Sequence, residues 1–273
     1  MPRSKTGTAY DLTGPIGAPV VVLVHGLGLT RATWAAFVPA LAQDYRVLCY
    51  DLCGHGESAL PHDTPSLTVL SGQLINLLDE LGISRATIIG FSLGGMINRR
   101  LAIDHPARVA ALVILNSPHE RSPDAQRLVE ERAAQTGEGG PAANIDATLA
   151  RWFTPQFLQN APDLVAQVRA TVLANDAGNY ALHRQVLARG VVELIRPAPP
   201  LTTPTLVITC ENDSGSTPAM SHAIASEIAG AETVIVPYLQ HLGLIEQPDL
   251  FLDPILRFLG REKQQFPKNG PRI

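Results

Sequence analysis

Cysteine is scarce in this chain: Cys49, Cys53 and Cys210 are the only three among 273 residues. An odd, small number excludes a disulfide framework and suits a reducing compartment. Cys49 and Cys53 lie near enough for a metal pair, but their neighbourhood lacks the further ligands a site needs, so no metal is expected. Long apolar runs are missing too. The strongest, residues 20–24, has strand length and falls far short of the ~20 residues a membrane span requires. Arg3 and Lys5 are followed by a polar, glycine-containing stretch rather than the apolar core of a signal peptide. Neither sign of charge dominates, with 21 Lys and Arg against 25 Asp and Glu and a net charge of −4, which argues against a nucleic-acid partner. No internal repeat is visible. These absences point to a cytoplasmic protein with no membrane or nucleic-acid partner, and they leave open whether the chain forms a homo-oligomer.

What the chain does have is organised around residues 86–98. A short apolar run rich in β-branched residues stops at Gly90. Ser92 follows two residues later, then Gly94 and Gly95. Leu93, Met96, Ile97 and Leu101 continue at helical spacing until Pro106. Read as strand, one-residue turn and helix, this is G-x-S-x-G, the nucleophile elbow. Glycines flank the serine because strand and helix backbones crowd together at so sharp a turn. The turn aims the backbone N–H of Leu93 and the positive end of the new helix at whatever sits on Ser92.

On either side the chain alternates. A possible edge strand near 9–12 is followed by apolar strands at 20–24 and 45–50, with a helix carrying Trp34, Phe37, Val38 and Leu41 between the last two. A helix spans 67–81, the elbow follows, and a further strand covers 111–115. The apolar run at 20–24 is continuous rather than alternating, as expected for a strand of a parallel sheet covered on both faces. The expected fold is α/β, a mostly parallel sheet with right-handed crossovers and helices on its faces. From 118 to 200 the pattern is helical only, with segments near 125–134, 145–153, 161–174 and 180–188, the first two separated by the glycine-rich 137–141. This stretch reads as a helical cap over the carboxyl edge of the sheet, between core segments 1–117 and 201–273. The core resumes with a strand at 205–210, a helix at 218–228 and a strand at 233–236. A last helix near 248–259 precedes a basic, polar tail expected to be disordered.

Functional groups in such sheets lie beyond the carboxyl ends of strands. Glu211-Asn212-Asp213 follows the strand ending at Cys210, and Tyr238-Leu239-Gln240-His241 follows the strand ending near Val236. Chain order is therefore Ser92, Asp213, His241, the order a nucleophile-elbow enzyme uses. A serine hydroxyl becomes nucleophilic when His241 takes its proton, and a carboxylate must hold that imidazole in the right tautomer. Asp213 is the favoured acid and Glu211 the runner-up. The preceding strand ends at Asn116, which carries no charge. The loop His25-Gly26-Leu27-Gly28 offers the N–H of Leu27 as a second oxyanion donor beside that of Leu93, with Gly26 and Gly28 letting the backbone approach substrate. His25 is expected to order this loop by hydrogen bonds. Phe91 and Trp152 are candidate substrate contacts, and Phe153, Phe157 and Leu158 candidate pocket walls.

Val24-His25-Gly26, the loop from Asp51 to Ser58, Gly90 to Gly95, Asp213 and His241 together resemble the α/β-hydrolase superfamily over nearly the whole chain. The His25 to Gly28 loop, Ser92-Leu93-Gly94-Gly95 and Arg151-Trp152-Phe153-Thr154-Pro155 look most like 3-oxoadipate enol-lactonases and related esterases. Cys53 and Gln240 depart from that pattern, where arginine and glycine are usual. The resemblance implies a cofactor-free serine esterase or lactonase acting on a small-molecule ester or lactone. A lactone bearing a free carboxylate would call for a cation from the cap, with Arg151 and Arg184 as candidates. Perhydrolases sharing the Ser-Asp-His set are the alternative activity, and a non-catalytic ligand receptor on the same fold is the non-enzymatic one. Routes through an aspartate nucleophile are excluded by Ser92.

Overall fold

A computed structural model describes residues 2–265, with side chains omitted at 135–138 and 263–265. The apolar runs form strands β1 (Tyr10–Thr13), β2 (Val20–Val24), β3 (Arg46–Tyr50), β4 (Ala86–Phe91), β5 (Val109–Leu115), β6 (Thr205–Cys210) and β7 (Glu232–Val236). They make one sheet in the order β1-β3-β2-β4-β5-β6-β7. Every pairing is parallel except that of β1, which closes one edge antiparallel to β3. Val21 to Val24 and residues 111–115 are almost wholly buried, as their continuous apolarity requires of strands covered on both faces. The fold is the α/β-hydrolase one expected.

The helices are α1 (Val38–Leu41), α2 (Leu67–Glu80), α3 (Leu93–Asp104), α4 (Pro123–Gly139), α5 (Ile145–Trp152), α6 (Pro155–Asn160), α7 (Pro162–Leu173), α8 (Ala177–Arg189), α9 (Pro218–Ser226), α10 (Gly243–Glu246) and α11 (Asp249–Gln265). Helices α4 to α8 fill the chain between β5 and β6, with no strand among them. Because the six strands β2 to β7 run parallel, the loops after their carboxyl ends emerge along one edge, and those loops carry Leu27, Ser92, Asp213 and His241.

Several elements differ from expectation for local reasons. The helix expected around Trp34 to Leu41 is instead a 3-10 turn, Arg31–Trp34, and the single-turn α1. Pro39 lacks an N–H and fits only the first turn, so the helix restarts there. The rings of Trp34 and Phe37 still pack edge to face at 5.3 Å, both fully buried. The glycine-rich stretch does not break the chain at 137. Helix α4 runs to Gly139 and turns at Gly140, whose φ of 56° suits glycine. Each glycine costs a helix only about 1 kcal/mol, and α4 packs against α8. Helix α11 extends to Gln265, beyond the expected 259, and the rest of the polar tail lies outside the described residues.

Candidate active site

Ser92 is the one residue between β4 and α3, and its backbone sits at φ 54°, ψ −111°. That conformation is strained for a side chain with a Cβ and persists only because its surroundings dictate it. A Cβ at Gly90 would strike the carbonyl of Gly94, and one at Gly94 would strike those of Val24 and His25, so helix and strands meet backbone to backbone. The N–H of Ser92 donates to Leu115 O at 2.8 Å, tying the elbow to β5. Ser117 Oγ donates to Ser92 O at 3.0 Å from the other side.

His241 Nε2 lies 3.2 Å from Ser92 Oγ, and its Nδ1 lies 2.6 Å from Asp213 Oδ2. Asn116 Nδ2 donates to that same Oδ2 at 2.9 Å. The N–H groups of Gly215 and Ser216 donate to Oδ1 at 2.8 and 2.9 Å. Burial alone would push the Asp213 carboxyl up. The charge and hydrogen bond of His241, together with Asn116 and Ser216, outweigh burial and hold it below the usual carboxylate range. Glu211, the other carboxylate weighed, is exposed and accepts the N–H of Tyr238 instead.

The remaining candidates distribute unevenly. Gly26, Leu27, Phe91, Ser92, Trp152 and His241 line one cavity of about 1020 Å³. Gly26 lies so close to Ser92 and Phe91 that a Cβ there would sit 3.2 Å from the serine Cβ. Phe91 and Trp152 hold their rings 5.0 and 6.2 Å from that of His241. The N–H of Leu93 is the first of α3 and has no acceptor within the helix. Gly28, expected as a substrate contact, is not among the residues that line the cavity and at φ 75° lies against Tyr180 and Val172. Phe153 and Phe157 stack on one another at 5.0 Å and do not line the cavity.

His25 orders its loop as expected. Its Nδ1 lies 2.8 Å from Gly26 O, while its Nε2 accepts the N–H of Leu52 at 2.9 Å, which assigns the proton to Nδ1. Burial pushes its pKa down to about 4. The loop from Asp51 to Ser58 is scaffolding: the buried Asp51 carboxylate accepts the N–H groups of Arg31 and Glu57, at 2.8 and 3.0 Å.

Three features were not legible as chemistry in the sequence. Asn116, noted only for lacking charge, orients the carboxylate of Asp213. Gln240, a departure from the family pattern, sets its side-chain amide against the carbonyls of Ala150, Arg151 and Phe153 at the end of α5, and these acceptors assign its nitrogen to that side. The N–H of Leu242 donates to Trp152 O at 2.8 Å, so both neighbours of His241 fasten it to the helical insertion. Arg151 and Arg184 both line the cavity. Arg151 is crowded by protein yet open to solvent, and Arg184 is half-buried, because each guanidinium borders a recess. Desolvation lowers both pKa values, Arg151 and Arg132 press on Arg184, and the Tyr180 hydroxyl lies in the field of both. Neither side chain makes a hydrogen bond or ion pair among the described residues. Arg151 also lies in the field of the Asp213 carboxylate, whereas the like-charged Arg151 and Arg132 bear on Arg184, so two guanidinium groups border the same cavity wall.

Among the described residues no helix is long and apolar enough to cross a membrane. A sequence model of the Alpha/beta hydrolase family matches residues 21–253. A protein named "Putative carbamate hydrolase RutD" from Stutzerimonas stutzeri is 30% identical over 258 residues, 93% of this chain and 97% of that protein. The 3-oxoadipate enol-lactonase 2 of Acinetobacter baylyi is 31% identical, covering 89% of both chains. The crystal structure of the enol-lactonase from Burkholderia xenovorans superposes with a TM-score of 0.85 at 32% identity, over 93% of this chain and 96% of that one. The chain belongs to the alpha/beta hydrolase family and is a hydrolase with enol-lactonases among its relatives.

Proposed function

We propose that this hydrolase opens a small carboxylic ester or lactone through an acyl-enzyme on Ser92. The single observation carrying this reading is the hydrogen-bonded file Ser92, His241, Asp213 at the cavity wall. Ser92 Oγ attacks the carbonyl carbon as His241 Nε2 takes its proton. Asp213 holds the proton on Nδ1 and stabilises the imidazolium. The N–H groups of Leu27 and Leu93 hold the oxyanion, worth about 3 kcal/mol each. Collapse expels the alkoxide or enolate, which His241 protonates. Water then adds to the acyl group with His241 as base, releasing acid and Ser92, a sequence that balances without any cofactor.

Arg151 and Arg184 extend the reading to the substrate. Their guanidinium groups at the cavity wall favour an ester or lactone that carries a carboxylate away from the scissile bond, such as 3-oxoadipate enol-lactone, the compound in the name of the Acinetobacter relative. Ser92→Ala is expected to lose about 10⁴-fold or more in turnover of 3-oxoadipate enol-lactone. Near-normal turnover in that variant rejects the assignment. Turnover of carbamates in preference to both lactones and esters would move the substrate toward the class in the name of the Stutzerimonas relative.

A further inference from the structure

The turn that carries Leu27 is held from two sides, and only one of them belongs to the sheet. Across the Gly26–Leu27 peptide the carbonyl and the N–H point in opposite directions, as in any trans peptide. Whatever holds Gly26 O therefore aims the Leu27 N–H. Gly26 O lies 2.8 Å from His25 Nδ1 and accepts the N–H of Leu29 at 3.2 Å. The N–H of Leu29 in turn shares its peptide plane with the carbonyl of Gly28. Gly28 O accepts Asn175 Nδ2 at 3.0 Å. Asn175 lies just beyond α7, in the helical insertion, and the same nitrogen reaches Thr171 O at 3.0 Å and Val172 O at 2.9 Å. Gly28 itself, at φ 75°, lies against Tyr180 and Val172 of that insertion.

We infer that Asn175 is a positioning residue for the oxyanion site, acting through the planes Gly28–Leu29 and Gly26–Leu27. The relay runs from the Asn175 amide to Gly28 O, from Leu29 N–H to Gly26 O, and so to the direction of the Leu27 N–H. Each bond polarises the next, and a displaced plane at Gly28 becomes a misaimed donor at Leu27. The helical insertion is on this view part of the machinery that binds the transition state, besides walling the cavity. The inference rests on the reading above that Leu27 N–H holds the oxyanion. Asn179 supplies an internal control: its Nδ2 donates to Gly54 O at 2.8 Å, another bond from insertion to core, but to a loop without an oxyanion donor.

The test uses the full chain, p-nitrophenyl acetate as substrate and 2,2,2-trifluoroacetophenone as a probe whose serine adduct carries an oxyanion. Asn175→Ala is expected to lower kcat about 10- to 100-fold with KM within about threefold, since a donor misplaced by a fraction of its bond length forfeits most of its effect. Inhibition by the ketone should weaken by the same factor, while Asn179→Ala keeps both within about twofold. Should Asn175→Ala fail to fold, Asn175→Ser retains a donor for the carbonyls at the end of α7 yet is too short to reach Gly28 O, and it is expected to show the same loss. Wild-type kcat and ketone affinity in a folded Asn175 variant overturn the inference. Equal losses in the Asn175 and Asn179 variants also overturn it, because they report general loosening. Activity surviving Ser92→Ala would instead sink the underlying reading, so the two failures are distinguishable.

Discussion

Replacing Arg184 by methionine tests what the cavity recognises. Methionine keeps much of the apolar stem and removes the guanidinium, which lines the cavity without an ion pair among the described residues. A charge-assisted hydrogen bond contributes about 1.5–3 kcal/mol, so losing the one to a substrate carboxylate should lower kcat/KM by about 10- to 100-fold. Arg151 remains nearby, which keeps the loss toward the lower end of that range. The assay compares 3-oxoadipate enol-lactone with α-angelica lactone, where a methyl group replaces the carboxymethyl and the reacting ester is the same. Only the charged lactone is expected to suffer, with the neutral one within about twofold of wild type. Stability should move the other way. Arg151 and Arg132 repel Arg184, and Arg184 repels Arg121, so Tm is expected to equal or exceed that of wild type. An equal loss on both lactones, or none on either, refutes the role given to this side chain.

Gly94→Ala places a Cβ against the carbonyls of Val24 and His25 and is expected to cost at least about 2 kcal/mol in urea unfolding, whereas Gly72→Ala in α2 meets no atom within 4 Å and should gain about 0.5–1 kcal/mol. Asp213→Asn removes the acceptor that keeps the His241 proton on Nδ1, and kcat for the enol-lactone should fall about 10⁴-fold with KM little changed. Below pH 6.5 stability should decline for a reason unrelated to catalysis. His25, His55 and His183 form a buried cluster, with ring separations of 5.4 Å (tilted) and 4.7 Å (edge to face), and burial lowers all three pKa values, that of His25 to about 4. The unfolded chain takes up protons there from about pH 6.5 downward, whereas in the folded chain His25 does not until near pH 4. The contribution of His25 is thus full above about pH 6.5 and drains away toward pH 4, at up to ~1.4 kcal/mol per pH unit, and the lowered His55 and His183 act in the same direction. A Tm independent of pH across that window contradicts the account of the histidine cluster.

The elbow, the alternation of strands and helices and the order Ser92, Asp213, His241 were readable because each is local: periodicity marks the elements, and strand ends mark where functional groups emerge. Three side chains 149 positions apart at the extremes were therefore assigned to one site, and their hydrogen bonds bring them together. What sequence could not convey is aim. Whether Trp152 or its neighbour Phe153 faces the cavity depends on how α5 packs, and Arg151 and Arg184 meet only because α5 and α8 both border the same recess. Asn116 carries no charge, and a donor to a carboxylate leaves no mark on spacing. Gln240 stood out as a departure, and its reason lies in carbonyls about ninety residues earlier. The side that Gly28 serves is hidden for a similar cause: a glycine at positive φ can allow a close approach on either side of the chain, and here the neighbour is the insertion.

The central claim, covalent chemistry on Ser92, is tested most directly by acid-quenching the enzyme during turnover of p-nitrophenyl acetate and mapping the acyl group by peptide mass spectrometry. The account predicts an acetyl group on Ser92 that forms and decays at rates compatible with kcat and is absent from Ser92→Ala. An enzyme that turns over with no acyl group on any residue, or carries it elsewhere with the same kinetics, would contradict it.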